Sequence, residues 1–207
     1  MTSARLYSIG HSNHDMARLL DLLRAAGVTA VADVRSQPFS RYSSHFNRPE
    51  LERALRAADL GYAFLGDLLG GRPTDMSVYD ASGQVNYERV RATAWFQQGL
   101  EKLLRGSEDF VVAMLCAEED PLVCHRALMI GPALVECGQA PCHIRGDGEL
   151  ETTAEMEERL LRETGVGVGI LDGLFADTVD AAERARLLVE AYQEQARRKA
   201  YRLSVPE

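Results

Sequence analysis

The chain has 207 residues, 46% hydrophobic and 26% charged, which fits one domain of ordinary size whose core needs no staples. Lys plus Arg number 23 against 31 Asp plus Glu, and the formal net charge of −8 disfavours sequence-blind binding of a polyanion over the whole surface. No apolar run approaches the ~18 residues of a membrane-spanning helix, and the N-terminal stretch has no long apolar segment of the signal-peptide kind. The cysteines Cys116, Cys124, Cys137 and Cys142 show neither CxxC spacing nor the density of a secreted scaffold, so reduced thiols in a cytoplasmic protein without a membrane partner are expected.

Leu6–Ile9 is a short apolar run stopped by Gly10 and predicts a first strand. Met16, Leu19, Leu20 and Leu23 follow helical spacing, with Ser12 or Asn13 as the expected N-cap and Gly27 as the stop. Val28–Val34 is rich in β-branched residues and predicts a second, buried strand. Pro49–Ala58 predicts a helix closed by Gly61, Tyr62–Leu65 a third strand, and Val90–Leu104 a helix. Phe110–Cys116 reads as the clearest buried strand, Cys124–Glu136 as a helix kinked at Gly131-Pro132, and Ala140–Ile144 as the last strand. Such alternation implies an α/β fold, a Rossmann-like and mostly parallel sheet with helices on both faces. Residues 1–150 make up that domain in this reading. Residues 151–207 form a C-terminal helical extension, with charged helices at Glu155–Glu163 and Ala181–Arg202 on either side of a Gly165–Gly169 turn.

In sheets of this kind ligands sit beyond the carboxyl ends of the strands, and polar clusters occupy those ends here. The densest runs from Cys116 to Arg126. A cysteine in the first turn of a helix, flanked by His125 and Arg126, is favoured as thiolate, so Cys124 is a candidate nucleophile. The same residues read equally well as a buried Cys124 and a structural Arg126 paired with Glu118 or Asp33, with Cys116 in the core. After the first strand, His11 is a candidate proton-transfer group and Ser12 a polar neighbour. Asp33, Arg35 and the loop to Arg48 add guanidinium forks, including Arg41, and aromatic rings, including Tyr42, with no carboxylate between Arg35 and Arg48. Residues 1–73 carry a net charge of +2 and the remainder −10, so a local anion site fits an acidic chain. Gly70 and Gly71 lack the spacing of a Walker loop or a dinucleotide fingerprint, and no cofactor is predicted. His11 and His14, joined by Cys124 or His125, leave a transition metal open as an alternative, without paired-ligand spacing to support it.

The segments YSIGHS, VADVRSQPFSR with HFNRPEL, YAFLGDLLGG, NYERVRATAWFQQGLEKLL and MLCAEEDPLVCHRALM occur here in one order. Together they resemble the bacterial family known as domain of unknown function 488, from about Leu6 to about Leu161. The resemblance implies a compact α/β domain with a Rossmann-like sheet. It also implies recurring polar positions at His11, Ser12, Asp33, Arg35, Gly70, Gly71, Glu118, Cys124, His125 and Arg126. Family members often carry a histidine shortly after the last strand, where this chain has Glu151-Thr152-Thr153, and their helix at 124–136 usually lacks a Gly-Pro pair.

The leading expectation is a hydrolase or transferase acting on a phosphate-bearing small molecule such as a nucleotide. Arg35 and Arg126 would hold anionic oxygens, with Ser12, Arg41, Tyr42, Gly70 and Gly71 nearby. Cys124 would attack, His11 or His125 would move protons, and Asp33 and Glu118 would orient them. The alternatives are a module that binds single-stranded nucleic acid through Arg35–Arg48, a metal-binding protein, and a regulatory protein that forms a homodimer through its C-terminal helices.

Overall fold

The computed structural model describes residues 5–168 and 180–203. Six strands form one sheet: β1 (Leu6–Gly10), β2 (Ala30–Asp33), β3 (Gly61–Phe64), β4 (Val112–Cys116), β5 (Cys142–Ile144) and β6 (Leu150–Thr152). Their order is β3-β2-β4-β1-β5-β6, with every pairing parallel except β5 with β6. The mixed α/β architecture expected from the alternation is present. β2, β4 and β5 are shorter than their apolar runs, and Ala140–Ile144 is not the last strand. Residues 145–149 turn the chain back, so that Leu150–Thr152 pairs antiparallel with β5.

Alternation along each central strand feeds two cores. Tyr7, Ile9, Val31, Ala113 and Leu115 face α1 (Met16–Ala25) and α2 (Arg48–Ala57), which bury Leu19, Leu23, Leu51 and Leu55. Leu6, Ala32, Val112 and Met114 face the other layer. That layer contains α3 (Gly66–Leu69), α4 (Tyr87–Arg91), α5 (Ala94–Asp109) and α6 (Gly131–Glu136). The connections after β1 and β4, adjacent strands, therefore leave on opposite faces of the sheet. This is the topological switch point at which an open α/β sheet forms a crevice.

Local chemistry accounts for departures from the expected elements. Asp15, not Ser12 or Asn13, caps α1, accepting from the Arg18 amide at 2.7 Å. Ser12 stands at φ 47° and its amide still donates to the Ala117 carbonyl, so the chain follows the sheet edge before it turns. The single helix expected over Val90–Leu104 is two, because Thr93 starts a new one by accepting from the Phe96 amide. The helix expected over Cys124–Glu136 is a π turn (Arg126–Ile130) followed by α6, and a 3-10 turn (Pro121–Val123) precedes the extended Cys124. Pro132 has no amide hydrogen, and the Gly131 amide reaches back to the carbonyl of Arg126, widening the turn at this point.

Beyond β6, α7 (Thr153–Thr164) begins with a reciprocal Thr152–Glu155 cap and α8 (Ala181–Lys199) begins at Asp180. Both bury apolar faces against the body: Leu122, Ala127, Met156, Leu160, Leu187 and Ala191 make one cluster. The Gln195 side chain donates to the Leu122 carbonyl at 2.8 Å, and that of Gln84 donates to the Arg197 and Ala200 carbonyls. The end of α8 is thereby held beside the carboxyl ends of the strands. The expected Gly165–Gly169 turn ends outside the described residues. Among the described residues no helix is long and apolar enough to cross a membrane.

Candidate functional site

The site begins where β4 runs out of apolar sequence. Cys116 closes the strand on the α6 face, and Ala117-Glu118-Glu119-Asp120 turn away. The Asp120 carboxylate accepts from the Leu122 amide and starts the 3-10 turn at Pro121. Cys124 is extended, and its carbonyl accepts from the Ala127 and Leu128 amides, so the chain enters the next turn of helix there. Arg126 lies beneath this loop with no exposed surface. Its guanidinium donates to the Glu118 and Glu119 carbonyls, each at 2.6 Å, and to Ser8 Oγ at 3.2 Å. Gly10 admits the loop, since a Cβ there would lie 1.7 Å from the Glu118 carbonyl oxygen.

Cys116, Cys124 and His125 meet over this base, with their sulfurs and one ring nitrogen within 4.8 Å of one another. His125 Nδ1 is 3.7 Å from Cys116 Sγ and 3.8 Å from Cys124 Sγ. Its Nε2 donates to the Val34 carbonyl at 3.0 Å, which turns Nδ1 towards the sulfurs. Gly71 makes room for the ring, because a Cβ there would be 2.8 Å from the His125 Cγ. Glu118 Oε2 lies 3.0 Å from Cys116 Sγ.

The three groups do not share one charge state. Hydrogen bonding to Cys124, burial and the neighbouring negative charge push the Cys116 thiol well up. Burial also opposes ionisation of Cys124, but the bond from Cys116 and the charges of Arg126 and His125 outweigh it and hold that thiol well below its ordinary range. Burial alone would lower His125; the Cys124 thiolate, Glu118 and the Val34 carbonyl raise it instead.

A cavity of about 360 Å³ opens over this cluster. Arg35, Gly71, Arg72, Tyr87, Glu118, Lys199 and Tyr201 line it together with the cluster. The exposed Arg72 guanidinium lies over the Tyr201 ring, 4.9 Å from its centroid. Neither Arg72 nor Lys199 forms an ion pair among the described residues. A second cavity, about 390 Å³, holds His11, Ser12, Ser40 and Ser43. The two share a wall of Arg35, Gln37, Phe39, Ala117 and Glu118. A larger groove, about 620 Å³, runs among α4, α6 and α8 and contains no cysteine or histidine.

The model of one family, the domain of unknown function DUF488, matches residues 15–131. The chain belongs to that family. No curated protein and no solved structure matches it.

In this DUF488 chain Cys124, His125 and Glu118 come together as the sequence suggested, and Cys116 joins them. Cys116 is buried at 3% exposure, but it is among the cavity-lining residues and its sulfur meets Glu118 and His125. Arg126 cannot hold a substrate oxygen, since it is wholly buried and its donors serve the loop; nor does it pair with the side chain of Glu118 or Asp33. Arg35 lines both cavities, but its Nε and Nη2 donate to Asp33 at 2.8 and 2.6 Å and its Nη1 to the Phe46 carbonyl. That carboxylate also accepts from the Tyr62 hydroxyl, so the Arg35 charge is largely spent inside the fold. Gly70 and Gly71 act by admitting Ser36 and His125, not as a phosphate loop.

His11 and Ser12 sit in the adjoining cavity. The His11 ring is stacked on Phe46 and donates from Nδ1 to the Ser12 carbonyl. Burial lowers its pKa to about 4, so the ring is neutral at pH 7. Arg41 and Tyr42 project into solvent and line neither cavity. The metal grouping read around His11 and His14 does not form; the donor cluster is Cys116, Cys124 and His125. Sequence reasoning missed Tyr87, Arg72, Lys199 and Tyr201. Only Arg72, next to the glycine pair, carried a signal that was available.

Proposed function

We propose that this DUF488 protein is a hydrolase or transferase acting on a small phosphate-bearing molecule such as a nucleotide. The observation that carries the reading is the sharing of one cavity by the Cys116–Cys124–His125 cluster and two cations, Arg72 and Lys199. The cluster supplies the reaction centre. Arg72 and Lys199 take over the anion-holding role that Arg35 and Arg126, committed within the fold, do not perform. Phe39 is 73% exposed on the wall common to both cavities and offers a flat apolar face to a base. Glu118 and Tyr87 line the same space as the cluster and offer side-chain oxygens for proton transfer.

Calorimetric titration and turnover assays with inorganic phosphate, nucleoside monophosphates and nucleoside diphosphates test this. Arg72→Ala and Lys199→Ala are each expected to weaken binding by about 10-fold or more, the effect of losing a charge-assisted hydrogen bond. Arg41→Ala and Tyr42→Ala, outside the cavity, are expected to leave it unchanged. Binding that Arg41→Ala abolishes and Arg72→Ala spares would overturn the assignment.

A further inference from the structure

We propose that Cys116, Cys124 and His125 form a binding site for one zinc-class divalent cation, with a fourth coordination position open to the cavity. The site rests on the preceding reading for its substrate, not for its metal.

Three observations support the assignment. The first is spacing. Tetrahedral zinc with sulfur at about 2.3 Å and imidazole nitrogen at about 2.0–2.1 Å sets its S and N ligands roughly 3.5 Å apart. His125 Nδ1 stands 3.7 and 3.8 Å from the two sulfurs, close to that separation, and all three donor atoms lie within 4.8 Å of one another. The second is orientation. The far ring nitrogen of His125 donates to the Val34 carbonyl, the outer contact that fixes a ligating imidazole in the right tautomer. The third is donor chemistry. Two sulfurs and one imidazole nitrogen converge on a single buried point, with the Glu118 carboxylate 3.0 Å from Cys116 Sγ.

A nucleophilic cysteine needs one thiolate and a base. It does not need a second buried thiol with a carboxylate 3.0 Å away, whose negative charge opposes the thiolate. Two sulfurs and an imidazole select a borderline-soft ion over magnesium or calcium. Three protein ligands beneath an open cavity match the donor count of sites that bind an exchangeable fourth ligand, whereas structural zinc sites are closed by four.

The test uses the full chain, stripped with chelator, incubated with zinc or cobalt(II) and desalted before metal analysis. One equivalent of metal per chain is expected, together with a cobalt–thiolate charge-transfer absorption and the intense visible bands of tetrahedral cobalt. Cys124→Ser and His125→Ala are expected to lose metal affinity by more than the about 10–100-fold that outer-contact substitutions cost. Cys137→Ser and Cys142→Ser are expected to bind as the parent does. Wild-type protein that retains no metal, or whose cobalt spectrum lacks the thiolate band, overturns the site without recourse to any variant. So does rapid alkylation of Cys124 that added zinc fails to slow, which would make it a free thiolate nucleophile. Stoichiometric zinc in a protein whose phosphate binding ignores Arg72→Ala and Lys199→Ala supports the metal site and overturns the substrate reading alone.

Discussion

The Arg126 guanidinium donates from Nη1 to the carbonyl of Glu118 at 2.6 Å, from a position with no solvent exposure. The bond ties the residue after Cys124-His125 to the residue two past Cys116, so one buried cation links the two halves of the site. Arg126→Met removes three donors and leaves the Glu118 and Glu119 carbonyls without their partner. A loss of about 3–5 kcal/mol is expected in urea unfolding, since each orphaned buried acceptor costs about 1–3 kcal/mol. Arg126→Lys reaches at most part of this set and is expected to fall between the two. An Arg126→Met protein as stable as the parent would show that the loop holds itself.

Gly71 has a narrower role. Its missing side chain leaves the space into which the His125 ring fits, 2.8 Å from where a Cβ would be. Gly71→Ala is expected to displace the ring and lose the ligand that His125 helps to hold, while costing only about 1–3 kcal/mol as local overpacking. Thermal melts set beside metal and nucleotide titrations separate these effects. If Gly71→Ala binds its ligands normally, the ring has another place to go.

Much of this framework was legible because strands write themselves as apolar runs. Val112–Cys116 has no competing pattern, and the polar clusters at strand ends follow from a parallel sheet. The convergence of Cys124, His125 and Glu118 was legible for the same reason. The anchoring of Arg35 and Arg126 within the fold was not legible, because a guanidinium in a strand-end loop has the same sequence signature whether it faces a ligand or a backbone carbonyl. Tertiary burial decides, and Asp33 and the Glu118–Glu119 carbonyls won here. Lys199 and Tyr201 could not be found, since they reach the cavity only through the docking of α8, held by Gln84 and Gln195. The β6 hairpin was missed because Glu151 has no apolar signature. Its carboxylate pairs with Arg145 and Arg159, and partner charges stand in for the hydrophobic pattern.

Asp33 and Tyr62 allow the cost of the Arg35 anchorage to be divided. Asp33 is fully buried and accepts from the Arg35 side chain, the Arg35 amide and the Tyr62 hydroxyl. Asp33→Asn leaves a buried guanidinium without its counter-charge, and about 3–5 kcal/mol of destabilisation is expected. Tyr62→Phe removes one half-buried hydroxyl from a carboxylate that keeps its arginine, and is expected to cost about 1 kcal/mol. Denaturant midpoints of the two variants check the ratio. Equal costs would mean that Tyr62, not Arg35, is the partner that matters.

Acid sensitivity follows from two buried histidines. Burial, helped by the Arg35 charge, lowers His11 to about 4 against the opposing effect of the Ser12 carbonyl. Burial, with the charges of Arg126, Arg145 and Arg159, lowers His143 to about 3. The unfolded chain, with histidines near pKa 6.5, takes up protons that the folded chain refuses. Stability is therefore fully present above about pH 6.5, falls as the pH drops below it, and stops falling on this account below the folded values. Between pH 7 and pH 5 the two residues together are expected to remove roughly 3–4 kcal/mol, at about 1.4 kcal/mol per pH unit for each. The variant carrying both His11→Asn and His143→Gln keeps polar side chains at both places but titrates at neither. Its unfolding free energy is expected to change much less than the parent's over this interval, because the carboxylates titrate chiefly below it. Parallel curves for parent and variant would transfer the acid sensitivity to the carboxylate network around Arg145 and Arg159.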